Sequence, residues 1–237
     1  MVLVPSGSFQ MGCASGDSKC KDDEKPRHEV ALDAFYIDTT EVTVAAYRSC
    51  NSAGECTTPA TDSRYCNWGK SGRDRHPINC VDHGQATAYC GWKNKRLPTE
   101  AEWEKAARGT DGRIYPWGNQ SPSCSLAIMK NSSNYGCGEV RTWPVGSKPA
   151  GKSPYGALDM SGNVWEWVSD WYDKSYYASS SRSNPSGPSG GSSRVFRGGS
   201  WYDDDGSNDY LRASTRRGFA PDFRYNSVGF RCARPLR

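Results

Sequence analysis

The densest group of potentially reactive or metal-binding side chains lies at residues 203–209, within the stretch RGGSWYDDDGSNDYLRAS (197–214). Four of these positions are aspartate, namely Asp203, Asp204, Asp205 and Asp209. Carboxylate oxygens suit hard cations such as Ca²⁺ and Mg²⁺ and also bind iron, so a metal site is one interpretation. The spacing does not fit an EF-hand, because Gly206 at loop position six would put Trp201 where an acid is required. The simplest interpretation is a solvated acidic loop.

The other residue types that could perform catalysis are placed unfavourably. His28, His76 and His83 all lie far upstream of the acidic run, which disfavours an iron site built from two histidines and one carboxylate. Ser200 lacks the GxSxG elbow of an activated nucleophile, so a hydrogen bond within a strand is its expected role. The residues by themselves therefore indicate no catalytic group.

The ten cysteines indicate disulfides. Cys13 and Cys20 bracket the turn-rich ASGDSK, Cys50 and Cys56 bracket NSAGE, and no CxxC pair or nearby histidine suggests zinc. Disulfides persist in oxidising compartments, so we expect an extracellular or periplasmic protein. The opening MVLVPSGSFQMG has neither a charged n-region nor an apolar h-region, so a leader would be absent from this sequence.

Composition limits the class of partner. The 237 residues are 35% hydrophobic, which suits a single domain over 1–237. The net charge of +4 comes from basic and acidic residues spread throughout, so no nucleic-acid surface is expected. No stretch approaches the roughly 20 apolar residues of a spanning helix, so direct membrane insertion is not expected. We expect a monomer or one part of a larger chain.

The pattern of elements predicts an α+β fold with many turns. Two short strands open the chain, residues 29–42 alternate as a strand, and Thr43 begins a short helix near 43–50. A second helix runs from Asp82 to about Asn94.

Residues after the second helix complete this pattern. Thr99 and Glu102 form the capping box of a third helix, which Gly109 ends. NVWEWVSDWY, VFRGGSW and VGFRCAR read as strands. The Ser/Gly/Pro segment 179–193 is expected to be a mobile surface loop.

Five segments in a fixed order carry a resemblance: MVLVPSGSFQMG, RLPTEAEWEKAARG, YGALDMSGNVWEWVSDWY, FRGGSW and VGFRCAR. Together they closely resemble the formylglycine-generating enzyme family, also called sulfatase-modifying factor domains, over essentially the whole chain. The resemblance implies an irregular fold related to C-type lectins, with little regular secondary structure. It also implies calcium sites and a copper-dependent oxidation of a substrate cysteine to formylglycine.

One calcium site of the family carries over to the GNVWEW segment. The matching positions are Asp159, Gly162, Val164 and Glu166, which supply carboxylates and turn carbonyls suited to this hard cation. The alternative is a glycine turn in which Glu166 caps a backbone N–H. The family's other calcium site is expected to be lost, because Cys124 and Cys137 stand at or beside its ligand positions and a disulfide there would clamp the loop.

The remaining pairings also follow from the resemblance. Cys90 and Cys232 match a family disulfide, whereas a second family bridge would need cysteines near Ala107 and Ala213. The simplest remaining pairs are Cys13–Cys20, Cys50–Cys56 and Cys66–Cys80, with the last the least determined by spacing.

The copper site departs from the family. There, RGGS is followed by two cysteines whose thiolates hold Cu(I), and the corresponding positions here are Asp203 and Asn208. Oxygen-bearing side chains are hard ligands that hold Cu(I) poorly, so neither copper nor formylglycine-generating activity is expected.

The resemblance also implies that this loop lies over the family's substrate groove. The aromatic and charged side chains around it suit recognition of a peptide or small ligand. The predicted ligand surface comprises Trp201, Tyr202, Asp203, Asp205, Asn208, Tyr210, Arg212, Arg216 and Arg224. The alternative is that about half of the aromatic and arginine side chains in this region pack under the loops. The leading hypothesis is an exported, calcium-binding, catalytically inactive ligand-binding or sensor module. The alternatives are an oxidase or hydroxylase using another metal in the 203–209 loop, a formylglycine-generating oxidase, or a diversified ligand-binding protein.

Overall fold

The computed structural model describes residues 1–132, 134–204, 206 and 209–236. These residues form short strands, three α-helices and several single 3₁₀ turns. The strands are β1 Val2–Val4, β2 Gly7–Met11, β3 His28–Leu32, β4 Phe35–Ile37, β5 Trp165–Trp171, β6 Arg194–Arg197, β7 Arg216–Phe219, β8 Val228–Phe230 and β9 Ala233–Pro235. The helices are α1 Val44–Ser52, α2 His83–Trp92 and α3 Glu100–Arg108.

The strands form three small sheets. β1, β4 and β9 make an antiparallel sheet that joins the two ends of the chain, and β2 pairs with β3 as an antiparallel ribbon. The third sheet has the order β7-β6-β5-β8, in which β5 pairs antiparallel with β6 and parallel with β8. This mixed sheet carries the WEW segment on β5, and the acidic run lies between β6 and β7.

Side-chain caps fix where the helices begin, as the sequence predicted. The Thr43 hydroxyl accepts a hydrogen bond from the Ala46 amide at the start of α1, and Asp82 caps α2. Thr99 and Glu102 form a reciprocal capping box at the start of α3. Each cap satisfies amide donors that have no partner inside the helix.

Helix α3 lies at the centre of the molecule, with every one of its residues buried. Trp103 packs in the main apolar cluster, while Glu100 and Glu104 face arginines from the mixed sheet. Arg197 donates to Glu100 at 2.8 Å and to Glu104 at 2.6 Å. Buried ion pairs therefore satisfy Glu100 and Glu104 on the polar side of α3.

Five disulfides brace the irregular connections. They join Cys13–Cys20, Cys50–Cys56, Cys66–Cys80, Cys90–Cys232 and Cys124–Cys137, the same pairs that sequence analysis expected. The Cys90–Cys232 bridge ties α2 to the segment between β8 and β9. Five disulfides indicate an oxidising, secreted-type environment.

One expectation about the chain path needs revision. Residues 29–42 do not form one strand, because the chain breaks at Asp33–Ala34 and β3 and β4 enter different sheets. The segment 179–193 is held to β3 at one point, where Ala31 donates its amide to Arg182 and accepts from Asn184. In the part of the chain that the structure describes, no helix is long and apolar enough to cross a bilayer.

Candidate ligand pocket and calcium site

A pocket of about 250 Å³ opens over the mixed sheet. Strands β5, β6, β7 and β8 all contribute to it, together with the loops that follow β6 and β7. Its lining is mainly aromatic around one acid and one arginine: Trp165, Phe196, Ser200, Tyr202, Asp203, Arg217, Phe219, Phe223, Tyr225, Ser227 and Val228.

Stacked rings build the pocket wall. Phe196 stacks on Phe219 at 5.0 Å between ring centroids, Phe219 on Phe223 at 4.4 Å, and Phe223 on Tyr225 at 5.7 Å. Trp165 meets Phe196 edge-on at 4.8 Å. Tyr225 at the outer end is 48% exposed, so the stack runs from the core to solvent. Such a row offers apolar area and ring faces to a ligand.

Asp203 is the acid of the pocket. Its Oδ2 accepts hydrogen bonds from Trp165 Nε1 at 2.9 Å and from Ser200 Oγ at 2.6 Å. Burial raises the pKa of this carboxyl, while these two hydrogen bonds oppose the rise. Among the described residues, no hydrogen-bond donor reaches its other oxygen, Oδ1. The carboxylate is thus held in orientation while one oxygen stays available to a ligand.

The described aspartates of the acidic run do not converge on one point. Asp204 pairs with Lys130 at 3.0 Å. Asp209 is buried, where it accepts from Tyr115 Oη and lies 3.5 Å from Lys19 Nζ. Each of the three described carboxylates, Asp203, Asp204 and Asp209, therefore has its own protein partners, and these three do not share one metal position. Asp205 and Asn208, also part of the predicted surface, lie outside the described residues.

Three residues predicted to lie on the ligand surface are buried instead. Arg212 is 0% exposed and holds both oxygens of Glu24 at 2.6 Å. Arg216 is bound to Glu100 at 2.7 and 2.8 Å. Trp201 packs beneath the loop. The prediction was wrong for these three, because a sequence does not show which arginines have buried carboxylate partners.

The other described members of the predicted surface, Tyr202, Asp203, Tyr210 and Arg224, are at least partly exposed. Tyr202 is 50% exposed and lines the pocket, Tyr210 packs edge-on against Trp165, and Arg224 pairs with Asp82 at 2.6 Å outside it. Arg217 also lines the pocket. Sequence analysis missed it because β7 was not predicted as a strand.

The predicted calcium ligands lie around the turn before β5. Asp159 and Gly162 have positive φ angles of 56° and 85°. A side chain at Gly162 would approach the Ile128 carbonyl oxygen to 2.4 Å, so glycine is required there. Asp159 Oδ2 accepts from the Gly146 amide at 2.6 Å. Val164 follows in the same turn and is buried.

Glu166, the fourth predicted ligand, already has strong partners. Arg231 donates to both of its oxygens, at 2.6 and 2.7 Å, and Trp103 Nε1 donates at 2.9 Å. Burial raises the pKa of Glu166, and the Arg231 guanidinium opposes that rise. Glu166 is therefore an anchor of the core as well as a candidate ligand, and it does not cap a backbone N–H of its own turn.

Glu41 completes this cluster and was missed from the sequence. It is 2% exposed, its Oε1 accepts from Asn163 Nδ2 at 3.0 Å, and its Oε2 is buried without a hydrogen-bond partner in the described residues. Burial, followed by the negative charge of Asp159, raises its pKa well above the ordinary range. In the sequence Glu41 is only the acid of the segment DTTEV, and its distance of 118 positions from Asp159 gives no indication that the two carboxyl groups meet.

The charges of the cluster fit a divalent cation. Three buried carboxylates, Glu41, Asp159 and Glu166, face the single guanidinium of Arg231. Buried carboxylates without compensating charge are costly, and an unpartnered buried oxygen is costly as well. Calcium accepts carboxylate and carbonyl oxygens in flexible coordination, so the donor set suits it.

Copper(I) does not fit the pocket. All ten cysteines form disulfides, so the described chain offers no thiolate. The acid at the first copper position, Asp203, is a hard oxygen ligand already held by Trp165 and Ser200.

The three small sheets, the buried α3 and the long irregular connections define a domain of the formylglycine-generating-enzyme fold. The chain belongs to the sulfatase-modifying factor family: residues 1–236 match the model for the "Sulfatase-modifying factor enzyme 1-like domain". It is a divergent member that lacks the copper-binding cysteines.

Relatives with different descriptions share this domain. The chain is 35% identical to the formylglycine-generating enzyme of Streptomyces coelicolor, over 98% of this chain and 88% of that protein. It is 31% identical to the inactive Cα-formylglycine-generating enzyme 2 of Mus musculus, over 98% and 85%. The solved structure of PvdO from Pseudomonas aeruginosa superimposes with a TM-score of 0.81 and 27% identity, over 99% of this chain and 93% of that one. The family thus includes proteins described as enzymes and one described as inactive.

Proposed function

We propose that this domain is an exported, calcium-binding recognition module that has lost the copper oxidase chemistry of its family and binds a peptide or small ligand in the Asp203 pocket. The observation that carries the proposal is the carboxylate of Asp203, fixed by Trp165 and Ser200 inside an aromatic pocket where the family's thiolate would stand. A held carboxylate with one open oxygen recognises a donor group, but it does not retain Cu(I).

The shape of the pocket supports binding. Its floor carries Asp203 and Ser200, its wall is the ring stack from Phe196 to Tyr225, and Arg217 adds a cation at the side. Apolar walls with few oriented polar groups are typical of small-ligand and peptide sites. The exposed rings of Tyr202 and Tyr225 provide contact area with little loss of side-chain entropy.

Calcium would be held by Glu41, Asp159 and Glu166, with carbonyls of the Gly162–Val164 turn. When bound, it neutralises buried negative charge and links the start of α1 to the turn before β5. This turn leads directly into Trp165, which donates to Asp203, so the ion stabilises the strand that orients the pocket acid. Its role in this proposal is structural.

The disulfide content supports export to the periplasm or the extracellular space, where such bridges persist. The domain acts there as a monomer or as one part of a larger chain. Neither nucleic acid nor direct membrane insertion is part of the proposed function.

Metal analysis and an oxidation assay test the loss of copper chemistry. The purified protein should contain calcium and no copper, and it should leave a cysteine peptide of the CxPxR type unchanged in the presence of Cu(I). The double variant Asp203→Cys, Asn208→Cys should gain Cu(I) binding, because it restores two soft ligands. Wild-type protein that converts the peptide to its aldehyde would show the proposal to be wrong.

Binding is tested with an immobilised array of random peptides. The wild-type protein should select a subset, and Asp203→Asn and Phe223→Ala should lose that selection. Tyr36→Ala on β4 is the matched control, since it removes a partly exposed ring outside the pocket. Equal selection by the wild type and both pocket variants would place recognition elsewhere on the domain.

A further inference from the structure

A second cavity, of about 360 Å³, is lined by three arginines. Arg64, Arg73 and Arg141 border it, and we call it the arginine groove. Its other lining residues are Tyr65, Cys66, Asn67, Glu139 and Val140, so it shares no residue with the Asp203 pocket. The groove is therefore a separate site, and its role is independent of the function proposed for the Asp203 pocket.

The groove carries more positive charge than its own acids balance. Glu139 is the acid in its lining, and it pairs with Arg141 at 2.7 Å. Among the described residues, no carboxylate oxygen lies within 4.0 Å of a guanidinium nitrogen of Arg64 or Arg73. Arg64 donates to the Tyr65 hydroxyl instead. Two guanidinium groups thus face the same cavity without an anionic partner.

Buried polar groups hold Arg73 in place. Its Nη1 lies 3.3 Å from His76 Nε2 and 3.4 Å from His76 Nδ1, so the guanidinium lies against the imidazole ring. His76 Nδ1 in turn lies 3.0 Å from the Thr142 hydroxyl. Asn67 Nδ2 donates to that hydroxyl at 2.9 Å and to the Pro77 carbonyl at 2.8 Å. This chain connects the floor of the groove to the core of the domain.

The contact between His76 and Arg73 is favourable only when the ring is neutral, because a protonated imidazole would repel the guanidinium. Burial, followed by the charges of Arg73 and Arg141, lowers the pKa of His76 to about 4. At neutral pH the ring is therefore neutral and can orient Arg73.

The backbone of the groove is also fixed. Cys66, in the lining, is bonded to Cys80, and the Asn67 amide donates to Asn79 Oδ1 at 2.7 Å. A site whose walls are already ordered loses less conformational entropy when a ligand binds.

We propose that the arginine groove binds an oxyanion, the carboxylate, phosphate or sulfate group of a small ligand. Arg73 and Arg64 donate to the anion directly, and Arg141 contributes when it exchanges Glu139 for the ligand. Guanidinium groups match planar and tetrahedral oxyanions through paired N–H donors, and such charge-assisted hydrogen bonds are stronger than neutral ones.

NMR titration with inorganic sulfate, inorganic phosphate and acetate tests the proposal, with chloride at matched ionic strength as the reference. The Nε–Hε signals of Arg64 and Arg73 should shift and saturate. The pKa of His76 should rise, because the bound anion offsets the charge of Arg73. His83 is the internal control: burial and Arg194 lower its pKa to about 4, it lies outside the groove, and its titration should not move.

A response to any of the three anions supports the site and identifies its chemistry, whereas a response no larger than that to chloride overturns it. Arg73→Gln should weaken binding about ten-fold or more, through loss of charge-assisted hydrogen bonds. If this variant does not fold, Arg64→Gln provides the same test at an exposed arginine. Arg234→Gln, on β9, is the control and should bind as the wild type does. Unchanged affinity in both Arg73→Gln and Arg64→Gln overturns the site.

Discussion

Replacing Glu41 by glutamine tests the calcium cluster more sharply than removing the ion alone. The substitution keeps the shape of the side chain and the acceptor for Asn163, but it removes one of three buried negative charges. It also removes the carboxylate whose Oε2 has no protein partner in the described residues. We expect opposite effects on the protein with and without calcium.

The magnitude of the effect is set by the charges. One unit charge close to a divalent ion contributes on the order of several kcal/mol even at an effective dielectric constant of about 20, partly offset by desolvation. A net loss of about 2.8 kcal/mol corresponds to roughly hundred-fold weaker binding. At calcium equal to about 100 times the wild-type dissociation constant, the wild type gains about 2.7 kcal/mol of stability. At the same concentration Glu41→Gln would gain only about 0.4 kcal/mol.

The assay is chemical unfolding in EDTA and in calcium. In EDTA the variant should be as stable as the wild type or more stable, because burial and the charge of Asp159 disfavour the ionised form of Glu41, which glutamine cannot adopt. Glu29→Gln is the matched control, since Glu29 is exposed on β3 and should leave both measurements unchanged. Equal calcium stabilisation of Glu41→Gln and the wild type would refute the assignment of Glu41, and no stabilisation of the wild type would refute the calcium site.

Three further predictions concern the fold. Burial raises the pKa of Asp170 to about 7. Its contribution to the free energy of unfolding is therefore complete below the unfolded value of about 3.9 and is lost as pH rises through about 7. In urea unfolding between these pH values, Asp170→Asn should lose less stability with rising pH than the wild type, and an identical pH profile would contradict this. Arg212→Leu should lower the free energy of unfolding by about 3–5 kcal/mol because it leaves Glu24 buried and unpaired, and a loss below about 1 kcal/mol would contradict the ion pair. Replacing both Cys90 and Cys232 by serine should cost about 5 kcal/mol, since the bridge spans 142 positions, and an unchanged denaturation midpoint would contradict this.

Local signals predicted the elements well where short-range chemistry decides them. Thr43, Asp82 and Thr99 were each expected to begin a helix, and each caps one in the structure. The prediction of one continuous strand over 29–42 was wrong, because the alternating pattern continues through Asp33–Ala34, where the chain passes from one sheet to another. Periodicity shows which residues face the core, but not which sheet a strand joins.

Prediction of the site was limited by partners distant in sequence. Arg212 and Arg217 look alike in a segment rich in arginine, yet one is buried against Glu24 and the other lines the pocket. Glu41 is an ordinary acid before a helix until the fold brings it beside Asp159. Charge type can be read from a residue, whereas burial depends on the whole packing.

The sequence by itself determined the helix caps, the family resemblance and the absence of thiolates at the copper position, since these depend on residue identity and short spacing. Only the tertiary structure decided which charges are buried, which oxygen of Asp203 stays available, and that Arg64, Arg73 and Arg141 share one groove. The physical reason is that desolvation and Coulomb energies depend on distances between residues far apart in the chain, and folding sets those distances.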